Sequence, residues 1–128
     1  MTLKCIIVED AAFLREVYRY NLKDQPIEII DEAADGMDAL IKINKHKPDL
    51  IILDLVLPMK SGLDVLKEIS RISPNSKCVV ISAIDDPEII RKALALGAIS
   101  YLAKPFNRAE LINCIEEVTR TYGEVYNG

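Results

Sequence analysis

The chain has no tryptophan, only one histidine and only three cysteines among its 128 residues. Because His46 is the only histidine, the sequence does not favour a catalytic triad or a metal site built from histidines. Cys5, Cys78 and Cys114 lie in apolar stretches and lack the paired spacing of metal ligands. We therefore expect three reduced, mostly buried thiols, and we expect His46 to be a solvated residue among lysines.

A long apolar segment and an excess of basic residues are also missing. The longest uncharged apolar-rich runs, such as Cys78–Ile84, are far too short to span a bilayer. The N-terminus lacks the long apolar region of a signal peptide, and the net charge is −4. An acidic domain offers few contacts to nucleic-acid phosphates. These absences predict a cytoplasmic domain that binds neither a membrane nor nucleic acid directly.

What the sequence does contain is a regular alternation of two patterns. Short apolar runs begin near residues 4, 27, 50, 77 and 98, and segments of helical periodicity separate them. Continuous apolar runs are typical of strands buried on both faces. Five strand–helix repeats predict an α/β fold, a parallel sheet with helices on both faces. We expect one domain over residues 1–122, followed by a tail or the start of a linker at 123–128.

Several helix boundaries carry recognisable capping signals. Asp86 before Pro87 predicts an N-cap followed by proline in the first helical position. Asn107 with Glu110 resembles a capping box. Gly97 suits a left-handed helix end. These signals predict one helix between the fourth and fifth strands and another after the fifth strand.

Polar residues follow four of the apolar runs directly. Glu9 and Asp10 follow the first run, Asp54 the third, Ser82 the fourth and Lys104 the fifth. One polar residue at a strand end is usually only an exit to solvent. However, parallel strands that end at one edge of a sheet bring such residues together in a crevice. The joint pattern therefore predicts a small polar site.

The chemistry of this predicted site points to phosphoryl transfer. Three converging carboxylates repel one another, and a cation is the obvious compensation. Oxygen donors without thiol or imidazole select magnesium or a similar ion. A carboxylate beside a magnesium ion, a hydroxyl and a lysine can act as a nucleophile and form an aspartyl phosphate. Asp54 is the best candidate because it ends the most apolar strand.

The chain resembles the response-regulator receiver family of two-component systems over roughly residues 3 to 121. The resemblance rests on a combination of motifs: Glu9-Asp10, Asp54…Pro58…Gly62, Ser82-Ala83 and Lys104-Pro105-Phe106. It implies a CheY-like, flavodoxin-like fold of five helices around a doubly wound five-stranded sheet with strand order 2-1-3-4-5. Glu9 stands where aspartate is more common, and Ser82 where threonine is as frequent, and the family accepts both.

The resemblance also implies roles for the acidic residues. Asp54 would accept a phosphoryl group from a sensor histidine kinase. Asp10, Asp54 and the backbone carbonyl of Val56 would bind magnesium directly, and Glu9 would act through water. The chain would be a signalling phosphoacceptor and not an enzyme, since it would catalyse only its own phosphorylation and dephosphorylation.

Further roles are implied for the residues after the last two strands. Ser82, Ala83 and Lys104 would bind the phosphoryl group, and Ser82 with Tyr101 would form the switch. The Lys104–Pro105 peptide is expected to be cis, which proline permits. Phosphorylation would then remodel the surface of the fourth helix, fifth strand and fifth helix. That surface would control a target protein or an effector domain, and a phosphorylation-dependent dimer is possible.

Val56 and Ile84 are expected to tune the lifetime of the phosphorylated state. They lie two residues after Asp54 and two after Ser82, where receiver side chains flank the path of the attacking water. Neither can hydrogen-bond a water molecule. We therefore expect a comparatively long-lived phosphoryl group.

Three other interpretations compete with a phosphorylated receiver. A haloacid-dehalogenase-like phosphatase needs a second aspartate two residues after the first, where this chain has Val56. A flavodoxin-like module needs an anion-binding loop after the first strand, where Glu9 and Asp10 would repel phosphate. A pseudo-receiver, an interaction module that is never phosphorylated, would not need the complete set of acid, hydroxyl and lysine.

Overall fold

The computed structural model describes the backbone of residues 2–127 and the side chains of residues 2–122. Five strands and five helices alternate along the chain. The strands are β1 Leu3–Val8, β2 Ile27–Ala33, β3 Leu50–Leu53, β4 Lys77–Ser82 and β5 Ala98–Ala103. The helices are α1 Ala12–Leu22, α2 Gly36–His46, α3 Gly62–Ile72, α4 Pro87–Ala95 and α5 Arg108–Asn127.

The sheet is parallel throughout, and its strand order is β2-β1-β3-β4-β5, which confirms the predicted fold. Strand β3 lies at the centre, and all four of its residues are buried. Alternate side chains enter two separate cores. Ile6 and Val8 of β1 contribute to the core that contains α2, α3 and α4 residues. Cys5 and Ile7 contribute to the core that contains α1 and α5 residues. The helices therefore cover both faces of the sheet.

The capping predictions are confirmed. Asp86 caps α4 ahead of a proline in its first turn, and Gly97 has a φ of 114°. Asn107 and Glu110 exchange hydrogen bonds, with Glu110 N–H donating to Asn107 Oδ1 and Asn107 N–H to Glu110 Oε1. The three cysteines are unpaired, and their burial agrees with the sequence expectation. None of the described helices is long and apolar enough to cross a membrane.

Helix α5 includes Gly123, which the sequence interpretation assigned to a tail. The side chains beyond residue 122 lie outside the described residues. The domain boundary at residue 122 therefore stays a prediction.

One sequence expectation is wrong at the edge of the sheet. Strand β2 extends beyond its apolar residues to Ala33, because an edge strand with a solvated side accepts polar residues. His46, expected to be solvated, is only 26% exposed in its side chain and contacts Asp31 of β2. The reason is that the longer strand places a carboxylate opposite the end of α2.

Asp31 is the centre of a small ionic cluster on this edge. Its carboxylate lies 3.2 Å from His46 Nε2 and 3.6 Å from Lys42 Nζ, and it accepts a hydrogen bond from the Glu32 N–H. Partial burial opposes the charge of Asp31. The hydrogen bonds from Glu32 and His46 and the charge of Lys42 outweigh that effect and lower its pKa. The ionised form is therefore stabilised by folding.

We predict that Asp31→Asn lowers the free energy of unfolding at pH 7 by about 0.5–1 kcal/mol, the range of a partly exposed ion pair. Because folding lowers the pKa of Asp31, this contribution is complete above the unfolded value of about 3.9. It is lost as the pH falls through the folded value. Urea denaturation of both proteins at several pH values should show the gap closing below pH ~4.

A matched control is Asp24→Asn, because Asp24 is exposed in the turn after α1. That variant should match the wild-type protein at every pH. An Asp31→Asn penalty that stays constant down to the acid limit would contradict the proposed origin of the stabilisation.

Candidate functional site

The carboxyl ends of β1, β3 and β5 bring three predicted site residues into direct contact. Lys104 Nζ donates to Glu9 Oε1 at 2.6 Å and to Asp54 Oδ2 at 2.9 Å. Glu9 and Asp54 are almost fully buried, with 1% and 5% of their surface exposed. The lysine side chain is also mostly covered, at 15% exposure. A largely covered cation therefore links two buried anions that are distant in the sequence.

Asp10 completes an acidic cluster with these residues. One carboxylate oxygen each from Glu9, Asp10 and Asp54 lies within 4.8 Å of the others. Asp10 is exposed, so the cluster opens to solvent on its side. Oxygen donors without thiol or imidazole suit Mg²⁺, which retains some of its own water. The donor set could therefore hold a magnesium ion.

Asp54 is held tightly by the backbone around it. Its N–H donates to Val8 O at 3.0 Å, which extends the pairing of β1 and β3. Its Oδ1 accepts a bond of 3.2 Å from the Val56 N–H. Gly62, the first residue of α3, packs closely against the same segment. A Cβ added to Gly62 would lie 2.4 Å from Asp54 O and 2.4 Å from Leu55 Cα. Only glycine permits such a close contact between the start of α3 and the backbone of Asp54. The helix therefore fixes the position of that backbone.

Glu9, in the turn after β1, is held by four contacts with different parts of the chain. The Glu9 N–H donates to Ala33 O at 3.0 Å. Its Oε2 accepts from the Ala11 N–H at 3.1 Å, and its carbonyl accepts from Arg15 Nη1 at 2.6 Å. The fourth contact is the Lys104 bond. Arg15 was not identified from the sequence, because an arginine six positions after an acidic residue is ordinary on a helix.

Burial and pairing act against each other in this site. Burial raises the pKa of Glu9, and the hydrogen bond from Lys104 only partly offsets that rise. Burial opposes the charge of Lys104 as well, but its hydrogen bonds to Glu9 and Asp54 prevail and raise the pKa of Lys104. The lysine therefore remains charged, and it provides the positive charge that the buried acids need.

A second group of predicted residues surrounds the loop after β4. Ser82 is fully buried, and its Oγ accepts a long bond of 3.4 Å from the Ile84 N–H. Tyr101, on the neighbouring strand β5, donates its hydroxyl to the Ile84 carbonyl. Burial raises the pKa of Tyr101, and a hydrogen bond with Ser82 partly offsets that rise. Ser82, Ile84 and Tyr101 thus form one connected unit.

The remaining predicted residues lie around these two groups. Val56 is 57% exposed and Ala83 is exposed, whereas Ile84 is partly buried. The Lys104–Pro105 peptide bond is cis. The Lys104 N–H donates to Ser82 O at 2.9 Å, which connects the strand carrying the lysine to the strand carrying the serine.

Comparison with known proteins identifies the family of the chain. Residues 5–116 match the family model described as the response regulator receiver domain. The chain belongs to this family. Receiver domains of response regulators are signalling modules of two-component systems and not conventional enzymes. The family assignment does not favour the haloacid-dehalogenase-like and pseudo-receiver alternatives.

Curated relatives include both short and longer receiver proteins. The chain is 32% identical to the chemotaxis protein CheY of Thermotoga maritima, over 94% of this chain and 100% of CheY. It is 37% identical to the transcriptional regulatory protein PdtaR of Mycobacterium tuberculosis, over 95% of this chain. The match spans only 62% of PdtaR.

Solved structures of receiver domains share the fold. The receiver domain of the response regulator AraT from Geobacillus stearothermophilus has a TM-score of 0.90 at 28% identity, covering 98% of this chain and 99% of that one. The Borrelia burgdorferi complex of CheX, CheY, BeF3 and Mg²⁺ gives a TM-score of 0.86 at 29% identity, covering 91% and 88%.

Proposed function

We propose that the chain accepts a phosphoryl group on Asp54 from a sensor histidine kinase, with magnesium bound at the acidic cluster. One observation carries this proposal: the partly covered Lys104 bridges Asp54 and Glu9 beside the open side of the cluster at Asp10. A purely structural ion pair would not need a third carboxylate facing solvent. The Mg²⁺ in the related Borrelia burgdorferi CheY complex supports the choice of metal.

The residues of the site have distinct parts in the proposed reaction. An oxygen of Asp54 attacks the phosphorus of a phosphohistidine, and the new O–P bond forms as the N–P bond breaks. The departing imidazole nitrogen takes a proton from water. Lys104 pairs with a phosphoryl oxygen, and Ser82 and the Ala83 backbone bind the others. Magnesium held by Asp10, Asp54 and the Val56 carbonyl, with Glu9 acting through water, would neutralise charge on the transferring group.

We predict that a small phosphodonor with Mg²⁺ adds one phosphoryl group to the wild-type chain and none to Asp54→Asn. The amide of asparagine is not a nucleophile for this reaction. Intact-mass measurement after a brief incubation tests this directly. Asp24→Asn is the matched control, because it removes one exposed aspartate elsewhere and should be labelled like the wild type. Undiminished labelling of Asp54→Asn would refute the assignment.

The unit of Ser82, Ile84 and Tyr101 supports a switch. Ser82 is the last residue of β4, the strand next to β3, and the Tyr101 hydroxyl donates to the Ile84 carbonyl in the loop that follows. We propose that a phosphoryl group on Asp54 draws the Ser82 hydroxyl toward it and displaces this loop. Tyr101 then loses its Ile84 partner and turns inward, which changes the surface of α4, β5 and α5. That surface would contact a target protein, an effector domain or a second copy of the chain.

We predict that a phosphate mimic with Mg²⁺ shifts backbone NMR signals as far as residues 89–103. In Tyr101→Phe the signals near Asp54 and Ser82 should still shift. Those of α4 and β5 should shift less, because phenylalanine has no hydroxyl to release from the Ile84 carbonyl. Wild-type changes confined to the loops around residues 10, 54 and 82 would argue against the switch.

We predict that phosphate loss is slow and that polar residues at two positions accelerate it. Val56 is exposed and Ile84 partly covered, and neither can orient a water molecule. The double change Val56→Asn with Ile84→Glu should speed decay by about tenfold, equivalent to ~1.4 kcal/mol of barrier. Val56→Ile with Ile84→Val is the control, since it keeps both positions apolar and should keep the slow rate. Equal decay in both double variants would show that these positions do not set the lifetime.

A further inference from the structure

Arg15 connects the acidic turn of the site to the edge of the sheet. Its Nη1 donates to the Glu9 carbonyl at 2.6 Å, and its Nε lies 2.9 Å from Glu32 Oε1 on β2. The side chain is only 20% exposed. Hydrogen bonds from a charged guanidinium are stronger than neutral ones and are directional. Arg15 therefore fixes a backbone group of the site from outside it.

The carbonyl that Arg15 holds belongs to the peptide between Glu9 and Asp10. The orientation of that peptide sets the direction in which the Asp10 side chain leaves the backbone. Glu9 has other anchors, namely its N–H bond to Ala33 O and its carboxylate bonds to Ala11 and Lys104. Asp10 forms no side-chain hydrogen bond or ion pair within the described part of the chain. Its position in the cluster thus depends on the peptide that precedes it.

Glu32 in turn holds Arg15 in place. Its Oε1 pairs with Arg15, and its Oε2 pairs with Arg19 Nη2 at 2.7 Å and Nε at 2.9 Å. Arg15 and Arg19 are one helical turn apart on α1 and share this partner. Only Arg15 also reaches the Glu9 carbonyl. The chain therefore contains two similar arginines that differ in their contact with the site.

We propose that Arg15 is a positioning residue for the metal-binding acids and that Glu32 fixes its geometry. The proposal rests on magnesium binding at Glu9, Asp10 and Asp54, as inferred above. Arg15 sets the direction of Asp10 through the Glu9 carbonyl, so that Asp10 meets the metal without reorienting. If Arg15 only attached α1 to β2, Arg19 would share that role, and neither arginine would affect the metal.

The test compares magnesium affinity in the wild type, Arg15→Ala, Arg19→Ala and Glu32→Gln, by titration monitored with NMR. Loss of the group that orients a metal ligand should weaken binding in Arg15→Ala by about tenfold. Arg19→Ala should bind within about twofold of the wild type, and Glu32→Gln should lie between these two. Urea denaturation without metal provides the stability of each variant and separates unfolding from a loss of affinity.

A metal-free readout accompanies the titration. The amide signals of Asp10 and Ala11 should shift in Arg15→Ala and remain in place in Arg19→Ala. Arg15→Lys keeps a cation on the helix but cannot hold both partners in the same geometry, so it should bind magnesium with intermediate affinity. This variant keeps the test valid if the alanine variant does not fold.

Two outcomes would overturn the proposal in different ways. Equal magnesium affinity in the folded Arg15 and Arg19 variants would overturn the role of Arg15 alone and leave the proposed function intact. A wild-type chain that does not bind magnesium would overturn the proposed function and this inference together.

Discussion

Mutual repulsion of carboxylates at one edge of the sheet is the constraint on which the site depends. Glu9 and Asp54 are almost fully buried, and Asp10 lies close to both. Lys104 offsets part of this repulsion through two short bonds. The attraction between buried charges exceeds the free-energy cost of their desolvation only when the geometry is good. The backbone contacts around Glu9 and Asp54 provide that geometry, and the open side at Asp10 leaves room for a further cation.

Local patterns predicted the five strand–helix units and the polar residues at one edge of the sheet, whereas the strand order was implied by the family resemblance. Apolar runs identify strands, and a parallel sheet places the residues after those runs at one edge, so Asp54 and Lys104 could be paired without coordinates. Arg15, Glu32 and the environment of His46 could not be predicted. Their contacts depend on how far β2 extends and on the reach of long side chains between elements, and neither has a local signal.

The described contacts divide the site into a rigid part and a movable part. Asp54 is fixed between β1 and the start of α3, where Gly62 leaves no space for a side chain. The Ser82 hydroxyl, by contrast, accepts a long bond from the Ile84 N–H, and Tyr101 contacts this loop at the Ile84 carbonyl and through a hydrogen bond with Ser82. A charge added at the rigid part can therefore be relieved most readily by movement of the loop after β4. In the proposed switch, the displacement would therefore begin in this loop and not at Asp54.

The charged end of β2 has a consequence for the behaviour of the protein at high concentration. An outermost strand exposes backbone groups that can pair with a neighbouring molecule and start aggregation. Here the pairing of β1 and β2 is irregular between Cys5 and Ile6, and Asp31 and Glu32 follow on the β2 side. Both carboxylates are occupied by cations from α1 and α2. A strand of another molecule would meet an irregular backbone and two paired charges, a combination that disfavours strand pairing at this edge.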